Sequence, residues 1–297
     1  MPRSYPRIGI MQGRLSPRPA DRLQAFPHHT WRDEFTRAKA LGFDAIEWIF
    51  EADRHQENPI STAVGRARIR AVVGESGLPV GSVCADYFMV RRLAGESEST
   101  RRENTDVLRE LIAWTRELGA SRILLPLLET SAVETEELKA QAVASLRDVA
   151  KAAAHHGVVL GLETELPGDE YRELVTRVGH PNVRAYYDVG NSTAQGRDVA
   201  IDVMPLLGEL YAVHLKDRKR LGGSVFIGTG DTNFLGFFGL LKQCGFAGDM
   251  VLQHFFETEP EATAARALST IRNIWQAART PLPEVTSALD QSVLEQR

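Results

Sequence analysis

The chain has 297 residues, 43% of them apolar, which suits one large domain or two ordinary ones with a sizeable core. Its 35 Lys and Arg against 39 Asp and Glu leave a net charge of −4, which argues against the phosphate-neutralising surface that sequence-independent nucleic-acid binding needs. No apolar run approaches the ~18 residues of a membrane span. The opening MPRSYPRIGIMQGRLSP has neither the apolar core nor the small-residue cleavage site of a secretory leader. Cys84 and Cys244 lie in or near apolar segments and read as buried thiols. The expectation is a cytoplasmic protein with no membrane or nucleic-acid partner.

The first strand is expected over residues 7–11. TWRDEFTRAKALG then predicts a helix with Thr30 as N-cap, Glu34 in the first turn and Gly42 as the stop. A strand at 44–50 (DAIEWIF), a helix near 61–76, a strand at 79–85 (PVGSVCA) and a helix over 99–118 follow. SRILLPL (121–127) is a strand, followed by a long helix near 133–156 ending in HHG. There His155 and His156 suit the negative end of the helix dipole. VVLGLETE (158–165) is a strand before a helix near 168–179, and VRAYYDV (183–189) a strand before a helix near 197–208. LYAVHLK (210–216) leads through a Gly-rich loop to a helix near 233–244, and DMVLQHF (249–255) to a last helix near 260–279. His28 and His29 fall in a loop. Eight strands alternating with eight helices imply parallel strands with crossover helices, and the spacing suits a single closed (β/α)8 TIM barrel over residues 1–280. An open doubly wound sheet is the rival, but GIMQGRLSP lacks the G-x-G-x-x-G turn. Residues 281–297 have no strong apolar period and read as a C-terminal extension.

In such barrels the working site lies at the C-terminal strand ends. The first strand there supplies Gln12 and Arg14, the second Glu47 and Glu51, the third Asp86 and Tyr87, the fourth Glu129. The fifth supplies Glu163 and Glu165, the sixth Asp188 and Asn191, the seventh His214, Lys216 and Asp217, and the eighth Gln253 and His254. Glu163, Asp188 and His214 end consecutive strands. Two carboxylates and an imidazole at neighbouring rim positions suit one divalent metal ion, Mn2+, Mg2+, Co2+ or Zn2+. Asp86, Asn191 and Glu165 are candidate substrate contacts. GGSVFIGTGD (222–231) reads equally as a phosphate cradle made of backbone N–H groups or as a flexible lid. If Gln253 faces the barrel mouth, strand alternation turns His254 to the surrounding helices as a structural residue.

The segments LGFDAIEW, VGSVCA, VVLGLETE, YYDVGNS, AVHLKDR and GTGDTNF occur in the order seen in the xylose isomerase-like TIM-barrel superfamily. Over about residues 7–280 the chain resembles its sugar phosphate isomerase/epimerase branch, with the pentulose-phosphate and tagatose-type ketose 3-epimerases. That resemblance implies a metal-dependent isomerase or epimerase of a small polyhydroxy ketone or sugar phosphate, and a homodimer. It implies metal ligands Glu163, Asp188 and His214, with a fourth position at Gln253, where the family has a second Glu. Arg220 matches the substrate-binding arginine of the tagatose type, and Asn191 stands where that type has a His. DNA-repair endonucleases of the superfamily carry more metal-binding histidines, and the acidic balance here speaks against them.

The change to Gln253 bears on mechanism. An amide carbonyl can meet a hard cation but cannot act as a base near neutral pH. One-face isomerisation with Glu163 as the catalytic base remains open. So does epimerisation or dehydration with Lys216 as a second catalytic group. A polyol-binding barrel without turnover is the third reading.

Overall fold

Eight apolar runs form the staves of a closed barrel: β1 (Ile8–Met11), β2 (Ala45–Ile49), β3 (Val80–Cys84), β4 (Arg122–Leu127), β5 (Val159–Thr164), β6 (Val183–Asp188), β7 (Leu210–Leu215) and, beyond a small hairpin of β8 (Asp217–Arg218) and β9 (Ser224–Val225), β10 (Asp249–Leu252). Around the barrel the order is β1-β10-β7-β6-β5-β4-β3-β2, and every barrel pair is parallel. Closure leaves no open strand edge, and both faces of each strand are covered, which is why the strands read as near-continuous apolar runs. The protein is described by a computed structural model over residues 5–18, 24–255 and 258–279. The expected extension at 281–297 lies outside the described residues.

The helices are α1 (Trp31–Leu41), α2 (Ala63–Ser76), α3 (Tyr87–Val90), α4 (Glu98–Glu117), α5 (Glu136–His156), α6 (Gly168–Val178), α7 (Val189–Ala194), α8 (Val199–Asp202), α9 (Phe234–Gln243) and α10 (Pro260–Ala277). In α5, Ala142, Val143, Leu146, Val149, Ala150 and Ala153 are buried at helical spacing, so one stripe faces the barrel. Thr135 caps its start by accepting from the Leu138 N–H, and Gly157 ends it in a left-handed conformation. No helix among the described residues is long and apolar enough to cross a membrane.

Two expectations are corrected. The single helix near 197–208 is replaced by α7, α8 and a 3-10 turn at Met204–Leu206. Thr30 makes no side-chain cap on α1. Glu34, in the first turn as expected, is buried and accepts from Gly13 N (2.9 Å), Leu15 N (3.1 Å) and Ser16 Oγ (2.7 Å), so it holds the loop that follows β1. Burial pushes its carboxyl up to about 7, against those three hydrogen bonds and Arg37.

Polar side chains occupy the barrel axis in tiers. At the bottom, Arg122 of β4 pairs with Asp249 of β10, and Arg7 approaches the same carboxylate at 3.8 Å. One tier up, Glu47 of β2 accepts from Ser82 of β3 and Tyr186 of β6, each at 2.7 Å. The Tyr186 ring has room because β5 carries Gly161 beside it; a Cβ there would lie 2.9 Å from the Tyr186 ring. Strand alternation then places residues two positions further on, at the mouth.

Candidate metal and substrate site

Glu163, Asp188 and His214 converge at that mouth. The pairing Asp188↔His214 sets β6 beside β7, and β5 lies on the other side of β6. Ligand atoms of the three residues all lie within 4.8 Å of one another, and all three residues are buried. Asp188 is both the last residue of its strand and the cap of α7, because its Oδ1 accepts from the Asn191 N–H at 2.8 Å. That leaves Oδ2 to face the cluster. His214 Nδ1 is 3.7 Å from both Glu163 Oε1 and Asp188 Oδ2.

His214 is aimed from behind. Its Nε2 meets Glu47 Oε2 at 2.5 Å, and Glu47 is fully buried. A carboxylate accepts only, so Nε2 carries the proton and Nδ1 presents to the cluster. At the cluster His214 Nδ1 has no hydrogen-bond partner, and Asp188 Oδ2 accepts no hydrogen bond, although the Lys216 ammonium lies 3.1 Å from it. Buried polar atoms are normally satisfied. A cation between Glu163 Oε1, Asp188 Oδ2 and His214 Nδ1 would satisfy both, and the donor set of two oxygens and one nitrogen fits a divalent ion. The residues therefore fit a metal.

The charge states agree with this arrangement. Burial pushes the Glu163 carboxyl up to about 7, with Asp188 adding and His214 opposing. Burial works against ionised Asp188 too, but Lys216, His214 and the Asn191 N–H hold it below the usual carboxylate range. Burial alone would push His214 down; Glu47, Asp188 and Glu163 outweigh it and drive it well up. The proton so attracted to Nδ1 is the one a metal ion would replace.

Lys216, two residues beyond His214, points into the same mouth, with Nζ 3.1 Å from Asp188 Oδ2. Its ammonium donates to Gln253 Oε1 at 3.2 Å, and Gln253 Nε2 donates to Gln24 Oε1 at 2.9 Å. Gln24 Nε2 in turn donates to Asp86 Oδ2 at 2.5 Å, and Arg14 Nη2 donates to Gln24 Oε1 at 3.1 Å. Asn191 Nδ2 donates to Glu163 Oε1 at 3.1 Å.

Other expected site residues lie apart. Glu165 is on the rim, where it accepts from the Glu129 N–H and from Gln195 Nε2. Arg220 is exposed, and its backbone N–H donates to Asp231. Arg218 turns toward Asn191: Nη1 reaches Asn191 Oδ1 at 3.4 Å, and Nε donates to the Gly222 carbonyl. His254 is buried, and burial beside Arg14 pushes it down to about 3, so it is neutral. The Gly-rich loop neither cradles an external anion with its N–H groups nor hangs free. The Gly228, Gly230 and Thr232 N–H groups donate to Asp217, at 2.8, 2.8 and 3.3 Å. The chain's own carboxylate thus fills the nest.

Gln24 and Arg218 have site contacts that strand-end reasoning did not assign, and Glu47, named at the end of the second strand, was given no role there. For Glu47 a signal exists: a carboxylate in the middle of the apolar strand AIEWI must find partners inside the barrel. Gln24 sits in a loop and carries no such signal.

A family model described as xylose isomerase-like TIM barrel matches residues 35–274. L-ribulose-5-phosphate 3-epimerase UlaE of Salmonella heidelberg is 26% identical over 252 residues, covering 82% of this chain and 89% of that protein. The protein of the same name from Escherichia fergusonii is 26% identical over 253 residues, with the same coverage of 82% and 89%. Among solved structures, an L-ribulose 3-epimerase superposes with a TM-score of 0.75 at 20% identity, covering 96% of this chain and all of that one. D-psicose 3-epimerase from Clostridium cellulolyticum H10, solved with D-tagatose, gives 0.73 at 16% identity, covering 91% of this chain and 99% of that one. With a matched barrel model spanning most of its length, the chain belongs to the xylose isomerase-like TIM-barrel family.

Proposed function

We propose that the protein is an epimerase or isomerase of a small ketose or ketose phosphate, working with one divalent ion held by Glu163, Asp188 and His214. The observation that carries this is the convergence of Glu163 Oε1, Asp188 Oδ2 and His214 Nδ1 in one buried cluster, where Nδ1 has no hydrogen-bond partner and Oδ2 accepts no hydrogen bond but meets the Lys216 ammonium. When bound, such an ion would polarise a ketone oxygen and the neighbouring hydroxyl and so acidify the C–H of the carbon that bears that hydroxyl. Glu163 is the base: with one carboxylate oxygen on the ion, the other is free to take the substrate's proton. Lys216 is the second proton carrier, because Gln253 cannot exchange a proton. Gln253 offers a neutral carbonyl oxygen at the fourth ligand position. Asn191 and Asp86 are the proposed partners of substrate hydroxyls, and Arg218 is better placed than Arg220 to join them. The sugar 3-epimerases at 26% identity support the substrate class.

One observation favours a second reading, a polyol-binding barrel without turnover: the family's second Glu position is Gln253, and its carbonyl is engaged by Lys216. A panel of ketoses and ketose phosphates incubated with the Mn2+-loaded protein in D2O separates the two. Solvent deuterium should enter the carbon next to the carbonyl, and Glu163→Ala should abolish this. Binding of a sugar with no deuterium entry would establish the second reading instead.

A further inference from the structure

Lys216 is built into the ligand cluster. Its ammonium touches Asp188 Oδ2 at 3.1 Å, on the oxygen that faces the metal position. Two features hold it there. Its stem crosses the backbone at Gly190, where a Cβ would lie 2.3 Å from Lys216 Cγ, so only glycine leaves it room. Its head meets Gln253 Oε1 at 3.2 Å. The amide cannot turn away. Lys216 only donates and the carboxylate of Asp86 accepts, so the chain Lys216–Gln253–Gln24–Asp86 runs in one sense from cation to anion. The Gln253 carbonyl oxygen, just past the end of β10, and a carboxylate oxygen from β6 thus face one cation position, which Lys216 fills.

We propose that Lys216 is an internal cation that exchanges with the divalent ion. Metal binding moves its ammonium off Asp188 Oδ2, and its positive charge keeps the ion weakly and reversibly held. Asp86 and Gln24 act through Gln253 as positioning residues, presenting its carbonyl to whichever cation is present. The inference rests on the reading of Glu163, Asp188 and His214 as the metal site. Its physical basis is charge: Glu163 and Asp188 can neutralise one divalent ion, and an ammonium among them makes the same site repel it.

The test is titration of Mn2+ into the metal-stripped full chain, by calorimetry and by loss of the free-Mn2+ paramagnetic signal, with thermal unfolding in parallel. Lys216→Met keeps the stem and removes the charge, and should bind Mn2+ about tenfold or more tightly, the scale expected for deleting a like charge at this range in a partly wet site. Its metal-free form should melt below wild type, and Mn2+ should raise its melting temperature further than it raises that of wild type. Lys216→Arg, which keeps the charge, should stay close to wild type. Lys216→Gln gives a second uncharged variant with the same expectation, should the Met variant fold poorly. If wild type binds Mn2+ and the folded uncharged variants bind it no more tightly, internal exchange is wrong while the metal site stands. If neither wild type nor the uncharged variants bind Mn2+, the metal site falls and the exchange with it.

Discussion

Glu47→Gln removes one charge from the tier beneath the site without changing side-chain size. Glu47 Oε1 accepts from Ser82 and Tyr186, both at 2.7 Å, and Oε2 meets His214 Nε2 at 2.5 Å. A glutamine amide can satisfy only part of this set. With its oxygen toward the two hydroxyls, its NH2 faces Nε2, which must then accept, and the proton moves to Nδ1, where it blocks the metal. With its oxygen toward His214, the two hydroxyls lose their acceptor. Either way Nδ1 becomes a poorer ligand, and a partner change of this kind costs about 10–100-fold in metal affinity. Breaking a fully buried charged pair should also cost the metal-free protein about 3–5 kcal/mol. Calorimetric Mn2+ titration and urea unfolding read the two effects separately. Mn2+ affinity within about twofold of wild type, in a folded variant, would refute the claim that Glu47 sets the ligand face of His214.

Three further outcomes follow from the same structure. Glu34, raised to about 7 in the fold from an ordinary 4.5, holds a proton in the native state that the unfolded chain releases, so its stabilising contribution is complete below about pH 4.5 and disappears as pH climbs through 7, by about 3 kcal/mol in all. Glu34→Gln should flatten that part of a urea-midpoint profile between pH 4.5 and 8, whatever its effect on the absolute level. Asp249→Asn at the bottom of the barrel strands the Arg122 guanidinium and should cost about 3 kcal/mol in urea unfolding, with Mn2+ affinity unchanged. Gln253→Glu adds a carboxylate beside Lys216 and at the fourth ligand position; it should tighten Mn2+ binding at least about tenfold and raise 3-epimerase turnover, and unchanged affinity would remove Gln253 from the ion's surroundings.

The barrel was legible because parallel strands buried on both faces are apolar runs, and their C-terminal ends mark the mouth. The same logic put Glu163, Asp188 and His214 at neighbouring rim positions without any compact motif, and their ligand atoms lie within 4.8 Å of one another. It failed where a residue's partner is distant in sequence. Glu47 meets Tyr186 139 residues away and His214 167 away, and no local pattern encodes either contact. It also failed where one side chain dictates local backbone. Asp188 caps α7 directly from the strand, so a helix begins at Val189 rather than near 197. Asp217 gathers the N–H groups of Gly228, Gly230 and Thr232, which a glycine count cannot distinguish from a phosphate cradle. Arg218 reaches Asn191 while Arg220 stays exposed because the chain turns sharply after β8, with Lys219 N donating to the Gly223 carbonyl and Gly222 N to the Lys219 carbonyl.

The central claim is that one divalent ion sits between β5, β6 and β7. A crystal of the Mn2+-loaded protein, with anomalous diffraction recorded on both sides of the manganese edge, tests it most directly. The account expects a single strong peak about 2.0–2.3 Å from a Glu163 carboxylate oxygen, Asp188 Oδ2 and His214 Nδ1, with Lys216 drawn away from Asp188. No peak there, or a peak bound by other residues, would contradict it.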